Sequence, residues 1–156
     1  MQVNVGEDVG SAVRFTTLDE HIAAVDEESG MITATGSGMT VVMATSIDGW
    51  QAYCTVYVPY DVPKGVTAET ETEVLQDGQS TSSVVLRWKK QPGAKYAVYR
   101  SKTKKGPYTL LGQTKKKKYE DMTVSSGQTW YYKVTAVNGY AACESGKTEA
   151  VAVTVP

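Results

Sequence analysis

Hydrophobic and polar residues alternate along most of this chain, and the alternation has a period of two. The longest run, Thr129 to Asn138, places Trp130, Tyr132, Val134 and Ala136 on one face and Tyr131, Lys133 and Thr135 on the other. Alternation of this length predicts a strand with one face in a core and the other in water. Tyr96 to Arg100 predicts a second strand able to pair beside it. Further strands are expected at Val66–Thr70, Ser83–Trp88, Pro107–Gly112, from Tyr119, and at Ala150–Val155. In the first third, short strands are expected at Ala12–Thr16, His21–Val25, Met31–Ala34, Thr40–Thr45 and Gln51–Val58. The turns between them contain Gly or Asp: Asp26 to Gly30, Gly36-Ser37-Gly38 and Asp48-Gly49. Strands every 8–12 residues with such turns are the pattern of an all-β sandwich or barrel.

Charge divides the chain. Residues 1–62 hold nine acids against one base, Arg14, a net of −8, and the remainder holds 15 bases against eight acids, a net of +7. Such an asymmetry predicts two domains of different character. Pro59 and Pro63 bracket Tyr60-Asp61-Val62, a short joint that proline should make semi-rigid. No apolar run approaches the roughly 20 residues that cross a bilayer, so no membrane insertion is expected. Met1-Gln2-Val3-Asn4-Val5 lacks the charged and apolar regions of a signal peptide, so the protein is expected to be either cytosolic or a piece of a longer one, and the resemblances below imply the second.

Several spaced motifs carry a resemblance. Residues 3–59 contain Phe15-Thr16-Thr17, Ile22-Ala23-Ala24-Val25-Asp26, Gly30-Met31-Ile32-Thr33-Ala34, Gly38 to Thr45, and Cys54-Thr55-Val56-Tyr57-Val58. In that order they resemble the bacterial Ig-like group 2 domain. The opening departs from the family, because Val5-Gly6-Glu7 runs quickly into Val13 and the first edge strand is expected to be short. From Pro63 onward the chain resembles a bacterial fibronectin type III domain. The matching residues are Trp88, Tyr96-x-Val98-Tyr99-Arg100-Ser101, Gly106-x-Tyr108, Tyr119-x-Asp121, and Gly127-x-Thr129-Trp130-Tyr131-Tyr132-Lys133-Val134-x-Ala136-Val137-Asn138. One residue differs inside the last motif: Trp130 stands where the family usually has a tyrosine whose hydroxyl closes the preceding corner. An indole donates from N–H but accepts nothing, so this corner must be closed differently, with Trp130 itself buried.

The expected architecture is therefore two tandem immunoglobulin-like β-sandwiches joined by a Pro-flanked linker, with an Ig-like group 2 domain over 1–59, the linker at 60–63 and a fibronectin type III domain over 64–156. The resemblances imply a non-catalytic spacer or adhesion pair from a larger secreted or cell-surface bacterial protein. The alternative they allow is a carbohydrate- or wall-polymer-binding accessory of an extracellular enzyme. As an isolated piece the chain is expected to be monomeric.

The residues offer little chemistry. His21 is the only histidine and is expected at an exposed strand edge, so no catalytic, cofactor or metal residues are assigned. The acidic turn Asp26-Glu27-Glu28 lacks the ligand spacing of a calcium loop and is expected to be solvated. Cys54 shares a face with Val56 and Val58 and is expected to be a buried thiol acting as a small hydrophobe. Cys143, among small residues, is expected in a loop, where an exposed and reactive thiol is one alternative. The candidate contacts are on the surface. Lys115, Lys116, Lys117 and Lys118, with Lys102, Lys104 and Lys105 nearby in sequence, can attract polyanions, although lysine also guards sheet edges. Tyr99, Tyr108 and Tyr131 with Lys133 can form an aromatic strip suited to sugar rings, as can Trp50 with Tyr53. Cross-strand tyrosines equally stabilise a sheet. Cell-wall or host glycans and proteins are the partners to consider; nucleic acid is not expected, because the whole chain carries a net charge of −1.

Overall fold

A computed structural model describes residues 13–156, and its contacts divide the chain into two compact units. The first runs to Tyr60 and takes in Gly139–Cys143; the second comprises Asp61–Asn138 and Glu144–Pro156. No helix among the described residues is long and apolar enough to cross a membrane. The short opening edge at Val5–Glu7 lies outside the described residues.

The first unit contains β1 (Arg14–Thr17), β2 (Ala23–Val25), β3 (Ile32–Ala34), β4 (Gly38–Thr45) and β5 (Gln51–Val58). Strands β1, β4 and β5 form one antiparallel sheet in that order, and β2 pairs with β3 in a separate hairpin. His21 and Ile22, expected to open the strand, belong instead to a turn over residues 18–22, because Asp19 draws the chain back: its carbonyl accepts from the N–H groups of Ile22 and Ala23, and its carboxylate accepts from His21 N at 2.9 Å. Phe15 and Val42 are buried on the inner face of the sheet, with Cys54 only half-buried on β5. Cys143 excludes the alternative of an exposed thiol: it sits in a 3-10 turn, Ala141–Cys143, fully buried, with its Sγ donating to the Gly38 carbonyl at 3.0 Å. Neither cysteine is in a disulfide.

Gly30 closes the acidic turn with φ +67°, and a Cβ built there would stand 2.9 Å from the Phe15 ring. Both backbone and core therefore require glycine. Gly30→Ala is expected to destabilise the first unit by about 2 kcal/mol or more, from the left-handed conformation plus crowding of the ring, measured as the shift of its urea midpoint.

The second unit contains β6 (Thr67–Val74), β7 (Ser80–Arg87), β8 (Lys95–Ser101), β9 (Thr109–Thr114), β10 (Lys118–Asp121), β11 (Thr129–Val137) and β12 (Val151–Thr154). They form two antiparallel sheets, β10-β7-β6 and β12-β11-β8-β9. Val84 and Leu86 from one sheet, and Tyr96, Val98, Tyr132, Val134 and Ala136 from the other, are fully buried. Alternating side chains on two inner faces give such a sandwich core. Strands β6 and β7 run further than the sequence pattern suggested, to a tight turn in which Leu75 N donates to Gln79 O and Gly78 N to Leu75 O.

The outward face of β11 is polar only in part. Thr135 and Val137 are buried as well as their inward neighbours. The reason is the segment 144–148, which lies along the strand through backbone and hydroxyl bonds. Ala136 N donates to Ser145 Oγ, Val134 N to Thr148 Oγ1, and Thr135 Oγ1 to Glu144 Oε1 at 2.9 Å. Tyr131 and Lys133 are left partly open, and Thr129 at the start of the strand is exposed.

Candidate functional site

The buried ionic group of the second unit joins its two sheets. Arg100 on β8 lies directly opposite Tyr132 on β11, so both side chains point to the same, inner face. Asp121 ends β10 in the facing sheet, opposite Val84 and thus also inward. Arg100 Nη1 donates to Asp121 Oδ2 at 2.7 Å and the Tyr132 hydroxyl donates to the same oxygen at 2.9 Å. The other carboxylate oxygen accepts from Thr123 N and Thr123 Oγ1. Arg100 donates further to Thr123 Oγ1 at 2.9 Å. The side chain of Asp121 is 2% exposed and that of Arg100 18%.

The electrostatics of this group suit a pin. Burial pushes the Asp121 carboxyl up, but the Thr123 bonds, the Tyr132 hydroxyl and the Arg100 charge outweigh it and hold the carboxyl below its ordinary value. Burial, then the bond to and charge of Asp121, push the Tyr132 phenol well above its ordinary range. Asp121 is thus held ionised and Tyr132 protonated at neutral pH, each bonded to its neighbours. A proton-transfer residue instead needs a value near the working pH.

Beside this group the corner before β11 is closed without a tyrosine. Gln128 Oε1 accepts from the Trp130 indole N–H at 3.1 Å and from Ser125 N at 3.2 Å. A side-chain amide oxygen thus supplies the acceptor that the indole lacks. Trp130 is buried, as expected, and the Arg100 guanidinium lies 3.9 Å from its ring centroid.

The tyrosines and Lys133 occupy one face of the β8–β9–β11 sheet, where Lys133 lies opposite Tyr99 and Tyr131 opposite Ser101. Two of the ring faces are already engaged: Lys133 Nζ is 5.1 Å from the Tyr108 centroid and Lys147 Nζ 4.5 Å from that of Tyr99. The Tyr99 hydroxyl donates to Glu144 and the Tyr108 hydroxyl to the Lys104 carbonyl. Burial raises both phenols above the ordinary value. In the first unit Trp50 is 81% exposed in a turn and Tyr53 is exposed on β5, where its hydroxyl bonds Gln51.

The lysine runs are not neighbours. Lys102, Lys104 and Lys105 follow the end of β8, whereas Lys115–Lys117 follow the end of β9, and the two strands are antiparallel with Tyr96 opposite Thr114. The runs therefore stand at opposite ends of this hairpin. Lys115–Lys117 occupy a bend between two edge strands, and Lys118 starts β10 with Glu120 4.0 Å away. All four are exposed. Among the described residues no group of three or more His, Cys, Asp or Glu side chains is placed to hold a metal ion. His21 is exposed, and Asp26 accepts from Ser29 N, Ser29 Oγ and Glu28 N, bonds that hold its carboxyl below the ordinary value.

No protein-family model and no curated protein matches the chain. Among solved structures it is similar to an Fn3-like protein from Clostridium thermocellum, at 28% identity over 64% of this chain and 95% of that one, with a TM-score of 0.47. The FN3tt structure matches at 23% identity over 64% and 97%, with a TM-score of 0.47. A titin fragment matches at 18% identity over 95% of this chain and 55% of its own length, with a TM-score of 0.50. That last likeness shows the fold: the chain is all-β, built from immunoglobulin-like β-sandwiches.

Proposed function

We propose that this chain is a non-catalytic pair of modules, an Ig-like group 2 domain followed by a fibronectin type III domain, from a larger secreted or cell-surface bacterial protein. Its role is to space and present neighbouring parts and to make adhesive contacts through its surface. The observation that carries this reading is the Arg100–Asp121–Tyr132 group. It is the most chemically suggestive constellation of the second unit, yet both Asp121 oxygens, the Tyr132 hydroxyl and Arg100 Nη1 are turned to partners in the group itself or the adjoining loop. Sandwiches of this kind host many surface roles, so the role belongs to exposed residues.

The test is a replacement in the parent protein. Exchanging the pair for two unrelated sandwiches of equal length is expected to preserve the activity of the neighbouring domains, whereas deleting it is expected to impair their reach. Loss of a chemical turnover on replacement, with the neighbours still folded, would overturn the proposal.

A further inference from the structure

Eight of the chain's thirteen lysines gather at one end of the second unit, although they come from four separate segments. The hydrogen bonds trace the gathering. Trp88 N donates to the Lys117 carbonyl at 3.1 Å, which sets Lys89 and Lys90 beside the bend Lys115–Lys117. Lys89 N donates to the Lys64 carbonyl at 2.9 Å, which adds the segment leading into β6. Lys95 starts β8 one residue beyond the Tyr96–Thr114 pair and so adjoins Lys115. Lys118 pairs in register with Arg87. All eight are exposed, and among the described residues only Lys64 and Lys118 lie within 4.0 Å of a carboxylate, those of Asp61 and Glu120. Arg87 is already engaged by Glu69 and Glu71.

Edge protection accounts for Lys118, which stands on an edge strand. It does not account for the other lysines, which lie in connecting segments or at a strand's first residue. A concentration of like charge costs self-repulsion, and it raises the local concentration of counter-ions of opposite sign. The unpaired cations are all lysines, point charges on flexible stems that suit a chain of spaced anions better than fixed bidentate recognition. Duplex nucleic acid carries a charge for about every 1.7 Å of axis, and the −8 balance of residues 1–62 opposes so dense a partner.

We infer that this lysine end of the second unit binds a linear anionic polysaccharide, one whose repeating units carry carboxylate or phosphodiester groups. The site goes beyond the spacer role and stands or falls apart from it, because the test below measures binding by the isolated chain and the replacement test measures the parent protein.

The experiment compares two charge-matched triple variants. Lys115→Ser/Lys116→Ser/Lys117→Ser removes three charges from this end, and Lys102→Ser/Lys104→Ser/Lys105→Ser removes three from the opposite end of the β8–β9 hairpin. Retention is measured on immobilised polygalacturonate and on a glycerol-phosphate wall polymer, from 50 to 200 mM salt, with thermal midpoints confirming the fold. Wild type is expected to bind at least one of them with a steep loss as salt rises, the polymer retained naming the source of the anion. The first triple is expected to weaken binding roughly tenfold and the second less than twofold, since counterion release scales with the contacts made. Lys89→Ser/Lys90→Ser is expected to weaken it several-fold from a different segment. Equal losses in the two triples would reduce the effect to net charge and overturn the site. No retention at 50 mM salt, or retention indifferent to salt, would overturn it as well. Duplex DNA bound as tightly as either glycan would overturn the assignment to polysaccharide.

Discussion

Asp121→Ala is expected to unfold the second unit more readily than any other single carboxylate change in it. The substitution leaves the Tyr132 hydroxyl without its acceptor and the Arg100 guanidinium, 18% exposed, with Thr123 Oγ1 as its remaining side-chain partner. Removing one member of a buried pair strands the other charge, at a cost of about 3–5 kcal/mol. For a unit of this size that lowers the thermal midpoint by on the order of 15–25 °C. Asp121→Asn keeps a carbonyl oxygen for the tyrosine and loses the charge, so its cost is expected to be smaller, about 2–3 kcal/mol.

The same group contributes to both flanks of the pH dependence. The folded-state carboxyl of Asp121 lies below its ordinary 3.8, so its contribution is present above that value and is lost as pH falls through the lower folded one. The phenol of Tyr132 is raised, so the folded state holds its proton more tightly than the unfolded chain does. That contribution is present below pH 10.0, the ordinary value, and declines as pH rises beyond it. Urea titrations at a series of pH values should show both flanks. In Asp121→Asn the acid flank should flatten, and in Tyr132→Phe the alkaline flank should flatten.

The second large effect belongs to Trp130. Trp130→Ala removes a buried indole from the end of the core and is expected to cost about 3–5 kcal/mol. The loss of the Arg100 contact at 3.9 Å adds to this, by roughly 0.5–2 kcal/mol for a desolvated cation over an aromatic face. Trp130→Phe separates the parts, keeping a ring under the guanidinium while losing the N–H bond to Gln128. It is expected to cost about 1–2 kcal/mol through that bond and the lost volume, read from denaturant midpoints. Gln128→Ala should reproduce the hydrogen-bond share alone, because Gln128 Oε1 serves both Trp130 and Ser125.

The sandwich was legible wherever one face of a strand is apolar. Strand β11 announced itself through Trp130, Tyr132, Val134 and Ala136, and β8 through Tyr96 and Val98. The outer halves of β6 and β7 were not legible. Glu71-Thr72-Glu73 pairs with Thr81, Ser82 and Ser83 in a ladder largely open to water, so nothing in hydropathy marks it. His21 and Ile22 read as the start of a strand because Ile22 begins the apolar run that continues into β2, while the turn set by Asp19 is a local polar effect that hydropathy does not weigh. Cys143 was misplaced for a related reason. Its neighbours are small and turn-like, and its burial comes from the distant Gly38 carbonyl.

The candidate contacts were legible as residue types but not as places. Lys115–Lys118 stood out as a run, and Lys102, Lys104 and Lys105 looked like its extension until the antiparallel register of β8 and β9 put them at opposite ends. Lys64, Lys89, Lys90 and Lys95, dispersed in sequence, are the residues that join it, revealed by the bonds from Trp88 to Lys117 and from Lys89 to Lys64 and by the β8–β9 register that sets Lys95 beside Lys115. Asp121 was visible only as part of a Tyr-x-Asp motif. That Arg100 points inward to meet it follows from the pairing of Arg100 with Tyr132 across two strands distant in sequence.

The most direct measurement asks whether the buried Arg100–Asp121–Tyr132 group serves the fold alone. The parent protein carrying Asp121→Asn is assayed well below the variant's own thermal midpoint, with near-ultraviolet circular dichroism confirming native packing. The expected result is a lowered midpoint together with parent activity and polymer retention at the wild-type level. Loss of activity by several orders of magnitude in the folded variant would contradict it, and would make Asp121 a reacting group.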